Sequence, residues 1–133
     1  MKAVAPLLAA AALLGLSSPS PAQTAPTVGD VVWAQWKPND WYRGKVARKT
    51  DKGYHIDFDD GSKAVVSSSL IAIDKAPEKA DVKVGARVVA RWRADNRFYP
   101  GKVGKIIDEG FHIEFDDGSR SNVGIRGIRL ISP

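Results

Sequence analysis

Gly53-Tyr54-His55-Ile56-Asp57-Phe58-Asp59-Asp60-Gly61-Ser62 returns almost letter for letter as Gly110-Phe111-His112-Ile113-Glu114-Phe115-Asp116-Asp117-Gly118-Ser119. The chain therefore carries one small unit twice, and the match extends on both sides of the decapeptide. Val28-Gly29, Val32, Ala34 and Trp36 recur as Val84-Gly85, Val88, Ala90 and Trp92. Tyr42, Gly44, Lys45 and Val46 recur as Tyr99, Gly101, Lys102 and Val103, one residue further on, so a single insertion separates the Trp and Tyr positions. Two copies are too few for an open solenoid, which needs at least three to bury its core, so each unit is expected to close on itself.

The periodicity inside each copy is two, the period of a strand with one buried face. Val32, Ala34 and Trp36 fall on one side and Val31, Trp33 and Gln35 on the other. In the second copy Val88, Ala90 and Trp92 oppose Arg87, Val89 and Arg91. Second strands begin at Gly44 and Gly101. Third strands alternate Tyr54, Ile56, Phe58 and Phe111, Ile113, Phe115 with polar residues. Asp60-Gly61 and Asp117-Gly118 predict tight hairpins of the two-residue type I′ class, in which glycine supplies positive φ. Fourth strands follow through Val65-Val66 and Asn122-Val123, and short fifth strands through 70–73 and 128–131. Five short strands in about 50 residues predict a small, strongly bent barrel. The fold class expected is all-β, two tandem five-stranded barrels, at 28–73 and 84–133.

The remaining segments differ in kind. Residues 1–22 combine Lys2, an Ala/Leu run to Leu16 and a small, Pro-rich end, the pattern of a cleaved signal peptide. The apolar run is shorter than the roughly 20 residues that cross a bilayer, although an uncleaved anchor is the rival reading. Residues 23–27 read as a disordered lead-in and the charged stretch 74–83 as a linker. The expected location is periplasmic or secreted, with no membrane span in the mature form, and the expected state a monomer. The chain carries a formal charge of +5 and no cysteine, so neither disulfides nor a lipid-modified cysteine is available. Its excess of base suits weak attraction to anionic polymers.

The pattern Val-Gly-x-x-Val-x-Ala-x-Trp, then Tyr-x-Gly-Lys-Val, then Phe-Asp-Asp-Gly resembles a Tudor domain, over residues 28–73 and again over 84–131. The resemblance implies SH3-like bent barrels and, in many members, recognition of methylated lysine or arginine. Carried over residue by residue, it implies an aromatic cage of Trp36, Tyr42, Phe58 and Asp60 in the first copy and of Trp92, Tyr99, Phe115 and Asp117 in the second. A methylated ammonium keeps its charge but loses N–H donors, and the negative faces of several rings hold it well. Some readers carry a further aromatic after the Asp-Gly, where this chain has Ser62 and Ser119, which leaves the cage open on that side. The same rings also serve to close the end of a small barrel.

Two other classes compete with that reading. Arg87, Arg91, Arg93, Arg97 and Lys102, interleaved with Trp92, Phe98 and Tyr99, suit a nucleic acid or an anionic envelope polymer. A structural envelope scaffold would need no ligand at all. No nucleophile motif, phosphate loop or isolated carboxylate pair suggests an enzyme, and no cofactor is expected. His55 and His112 occupy matching positions beside Asp57 and Glu114, too few for a metal site unless the two copies join them. They are expected on the outer face. Trp33 is also expected to face outward, towards the other barrel or a partner, and Trp41 and Phe98 to pack inside.

Overall fold

The alternating pattern forms two antiparallel sheets in a computed structural model that describes residues 25–132. The expected signal peptide, 1–22, lies outside the described residues. Of the lead-in, Pro26 is buried and the Thr27 amide donates to Asp30 Oδ2. The first sheet contains β1 (Val31–Lys37), β2 (Asp40–Thr50), β3 (Gly53–Phe58), β4 (Lys63–Val66) and β5 (Ile71–Ile73), in the order β4-β3-β2-β1-β5. The second contains β6 (Arg87–Trp92), β7 (Arg97–Ile107), β8 (Gly110–Phe115), β9 (Arg120–Val123) and β10 (Ile128–Leu130), in the order β10-β6-β7-β8-β9. The fold is all-β, two tandem barrel-like units. Among the described residues no helix is long and apolar enough to cross a membrane.

The second strand of each unit is longer than expected, because it begins at Asp40 or Arg97 and pairs at once with the strand before it. It then crosses from one partner to the next. Residues up to Lys45 pair with β1, and Gly44 onward pairs with β3 through a bulge between Val46 and Arg48. A matching bulge lies between Val103 and Lys105. At the crossing the backbones approach so closely that a Cβ on Gly44 would lie 2.7 Å from the Asp57 carbonyl oxygen, and one on Gly101 2.6 Å from that of Glu114. Backbone cannot swing aside as a side chain can. Gly44→Ala is therefore expected to cost about 2 kcal/mol, in the range of other overpacking changes, read from urea denaturation. A loss under about 0.5 kcal/mol, the scale of a surface change, would show that the crossing is looser than described.

The hairpins after β3 and β8 differ from the expected type I′ turn. The Gly61 amide returns to the Phe58 carbonyl at 2.9 Å and the Phe58 amide to that of Ser62 at 2.9 Å. Gly61 has φ +93°, whereas Asp60 is absent from the non-glycine residues with positive φ, Asn39 and Asn96. This is a three-residue loop with glycine alone in the left-handed region. The repeat at Gly118 has the same φ.

Each barrel has its own core. Val32, Ala34, Ile56 and Ile71 are fully covered in the first, and Val88, Ala90, Phe111, Ile113 and Ile128 in the second. A third buried cluster lies between them, made of Trp41, Ala72, Val89 and Phe98 and flanked by Trp33, Leu70 and Ile131. Trp41 and Phe98 are thus interior to the tandem and belong to neither barrel's own core. Val89, assigned by parity to an outer face, is covered for the same reason. Trp33 faces out of its barrel as expected and lies 4.6 Å from Phe98, ring centroid to centroid. Backbone ties reinforce the joint, through a bridge between Ala72 and Ile131 and a 2.8 Å bond from the Ser132 amide to the Ile71 carbonyl.

Asp74, first residue of the connection, fastens this joint. It accepts hydrogen bonds from Trp33 Nε1 at 3.1 Å, Arg43 Nε at 3.1 Å and Arg129 Nε at 2.8 Å, so donors from both barrels converge on one carboxylate. Burial pushes its pKa up, but the bonds from Arg129, Arg43 and Trp33 outweigh that and hold it below the usual carboxylate range. Two further residues of the connection are anchored, since Pro77 is buried and Val82 enters the second core, while its lysines are exposed.

Candidate functional site

Strand register brings three of the four residues expected at the first cage onto one face. Tyr42 pairs with Ala34 and Phe58 with Gly44, so Tyr42, Phe58 and Trp36 share the inner face at one end of the sheet. Phe58 is buried there as a floor. Trp36 stands edge-on to it, centroids 5.5 Å apart and planes at 85°, and is itself 42% exposed. Tyr42 is 36% exposed. Asp60 is turned to its own hairpin, where Oδ1 takes the Ser62 amide at 2.9 Å and the Ser62 hydroxyl at 2.5 Å. Those bonds from Ser62 hold its carboxyl below the usual carboxylate range, so it is a negative charge held within the hairpin.

The second copy repeats the plan with one change. Trp92 stands edge-on to buried Phe115 at 5.4 Å and 89°, and Asp117 is bonded to Ser119 as Asp60 is to Ser62. Here, however, Trp92 and Tyr99 are partly covered and pack on the core. The inserted residue lies in the β6–β7 loop, where Asp95 precedes Asn96 and Pro38 precedes Asn39 in the first copy. Asp95 accepts the Tyr99 hydroxyl and, at 3.0 Å, the Arg97 amide. The bond to Asp95 raises the Tyr99 pKa, so this phenol keeps its proton. The first end is the more open of the two. A shallow depression of about 650 Å³ borders the second, lined by Trp92, Arg93, Ala94, Ser121 and Asn122.

Arg97, read from the sequence as part of a basic surface, has a different place. Its guanidinium lies 4.7 Å from the Tyr42 ring centroid and 5.8 Å from that of Tyr99. It joins the two aromatic ends across the joint. Other members of the basic stretch are also engaged within the chain. Arg87 makes a two-pronged ion pair with Asp116 at 2.7 and 2.8 Å, and Arg91 lies 5.3 Å over Phe98. Arg93 borders the depression beside Trp92, and Lys102 is exposed.

The histidines sit on the outer face, His112 beside a residue of the next strand and His55 beside one of its own strand. His112 Nδ1 lies 2.8 Å from Asn122 Oδ1, and His55 Nε2 lies 3.4 Å from Asp57 Oδ1. Among the described residues no group of three or more His, Cys, Asp or Glu is gathered as a metal site would require.

A family model described as "Domain of unknown function (DUF4537)" matches residues 29–133. The chain belongs to this family. The match runs from the turn before β1 through β10, so the DUF4537 unit embraces both barrels and the connection between them. The joint built on Trp41, Phe98 and Asp74 is accordingly internal to the family's unit.

Proposed function

We propose that this chain is an exported, non-enzymatic binding protein of Tudor-like tandem barrels that holds a methylated lysine, or another methylated or quaternary cation, against its aromatic ends. The observation that carries this reading is the pose of Trp36. An indole standing 42% exposed at a barrel rim and edge-on to a buried phenyl ring, with exposed Tyr42 on the same face of the sheet, offers ring surface to a partner. A residue needed only to close the barrel would be covered, as Phe58 is. Asp60, held ionised by its bonds to Ser62, adds negative charge on the hairpin that follows Phe58. The second end, with Trp92, Tyr99, Phe115 and Asp117, has the same parts in a tighter arrangement.

The commitment of Arg87, Arg91 and Arg97 to partners within the chain weakens the nucleic-acid and anionic-polymer reading. Phosphate binding releases counterions and falls steeply with salt, whereas a cation held on rings does so far less. The test is titration calorimetry with a trimethyl-lysine peptide and with a single-stranded oligonucleotide at low and high salt. The expected result is peptide binding that survives added salt. Binding of the oligonucleotide alone, lost as salt rises, would transfer the function to the arginines, and heat from neither would leave a structural scaffold.

A further inference from the structure

The two copies differ in the sign of one residue at the joint. Two positions before each cage tyrosine stands Asp40 in the first copy and Arg97 in the second. Arg97 places its cation 4.7 Å from the Tyr42 ring and 5.8 Å from the Tyr99 ring, so one guanidinium serves a tyrosine of each barrel. Its Nη2 is buried with no hydrogen-bond partner among the described residues. The tyrosines are its main partners, and the interaction with the Tyr42 side chain is the chief cause that raises its pKa. Asp95 holds the Arg97 backbone amide and the Tyr99 hydroxyl, which fixes the base of the arginine while its tip depends on the tyrosines.

We propose that Arg97 is an internal cation shared by the two aromatic ends, which an external methylated cation must displace from Tyr42, so that occupancy of one end favours occupancy of the other. The proposal rests on the cation-binding reading of those ends. A tyrosine ring already facing a guanidinium has less attraction left for a second positive charge. If the newcomer takes the same face, the two exclude each other; if it takes the opposite face, like charges a ring's thickness apart repel. Once the first ligand has moved Arg97 away, Tyr99 is relieved of it too, and the second ligand binds without that cost. Coupling of this kind needs only one element whose position both sites bias.

The experiment is a titration with tetramethylammonium at constant ionic strength, following the indole N–H resonances of Trp36 and Trp92 in the whole protein and in Arg97→Gln. The expected result is weaker, sigmoidal binding in the parent chain and roughly three- to thirtyfold tighter, non-cooperative binding in the variant, the span of one cation–ring contact. Equal or weaker binding by Arg97→Gln overturns the proposal and leaves the cation reading standing. No shift of either indole in either protein removes the cation reading, and the proposal with it. Arg97→Lys guards against a folding defect in the glutamine variant. It keeps the charge and the packed stem, but its ammonium is more strongly hydrated and leaves a ring more readily. An intermediate gain is expected, and a lysine variant no tighter than the parent also overturns the proposal.

Discussion

Trp41→Ala is expected to destabilise the protein by about 3 kcal/mol, a large share of the stability of a chain this size. Trp41 is 1% exposed and packs with Ala72, Val89 and Phe98 where neither barrel alone would cover it. Truncating a buried Trp or Phe to alanine usually costs about 3–5 kcal/mol. Here one term opposes the loss, because the Trp41 indole N–H is buried without an acceptor among the described residues, and removing it recovers on the order of 1 kcal/mol. Trp41→Phe separates the two terms. It keeps most of the ring and discards the unpaired donor, so its stability should stay within about 1.5 kcal/mol of the parent. Urea denaturation followed by the fluorescence of the remaining tryptophans measures both. A loss below about 1 kcal/mol for Trp41→Ala would mean that the joint contributes little and the barrels stand independently. Units of about 50 residues bury a smaller fraction of their surface than larger domains do and are correspondingly marginal alone, which is why the joint is given this weight.

Trp36→Ala is expected to act in the opposite way, leaving stability within about 0.5 kcal/mol, as for other surface changes, while weakening binding of a trimethyl-lysine peptide at the first end by about tenfold or more. The pair of readouts is what separates a cage from a lid. A ring that closes the barrel would take stability with it when removed, as Phe58→Ala should, since Phe58 is buried. A ring that meets a ligand would take only affinity. Trp36→Ala with stability reduced by about 3 kcal/mol and affinity unchanged would assign the indole to the barrel.

Much of the fold could be read from the letters because the repeat states it twice. Alternation located the strands, and Asp-Gly located the hairpins. The turn class was missed because Asp-Gly serves both a two-residue loop with two positive φ angles and a three-residue loop with one. Parity correctly turned Trp33 outward and Trp41 away from Tyr42, but parity tells which face a side chain takes, not what covers that face. Trp41, Val89 and Phe98 are covered in a cluster that draws on both copies, which the pattern within one copy does not show. Asp74 looked like one charge in a charged connection for the same reason. At the candidate site, the shared face of Trp36, Tyr42 and Phe58 followed from spacing and resemblance. The position of Arg97 did not, because a cation between two rings from different barrels leaves no mark in either repeat except the change of sign from Asp40.

The most direct measurement is an NMR titration of the protein with a trimethyl-lysine peptide, read at its four tryptophan indole N–H resonances. Trp33 and Trp41 lie in the joint and serve as internal controls, while Trp36 and Trp92 stand at the two aromatic ends. The expected result is a saturable shift of Trp36, a smaller one of Trp92, and none at Trp33 or Trp41. Four unmoved indoles at saturating peptide, or shifts confined to Trp33 and Trp41, would rule out cation binding at the aromatic ends.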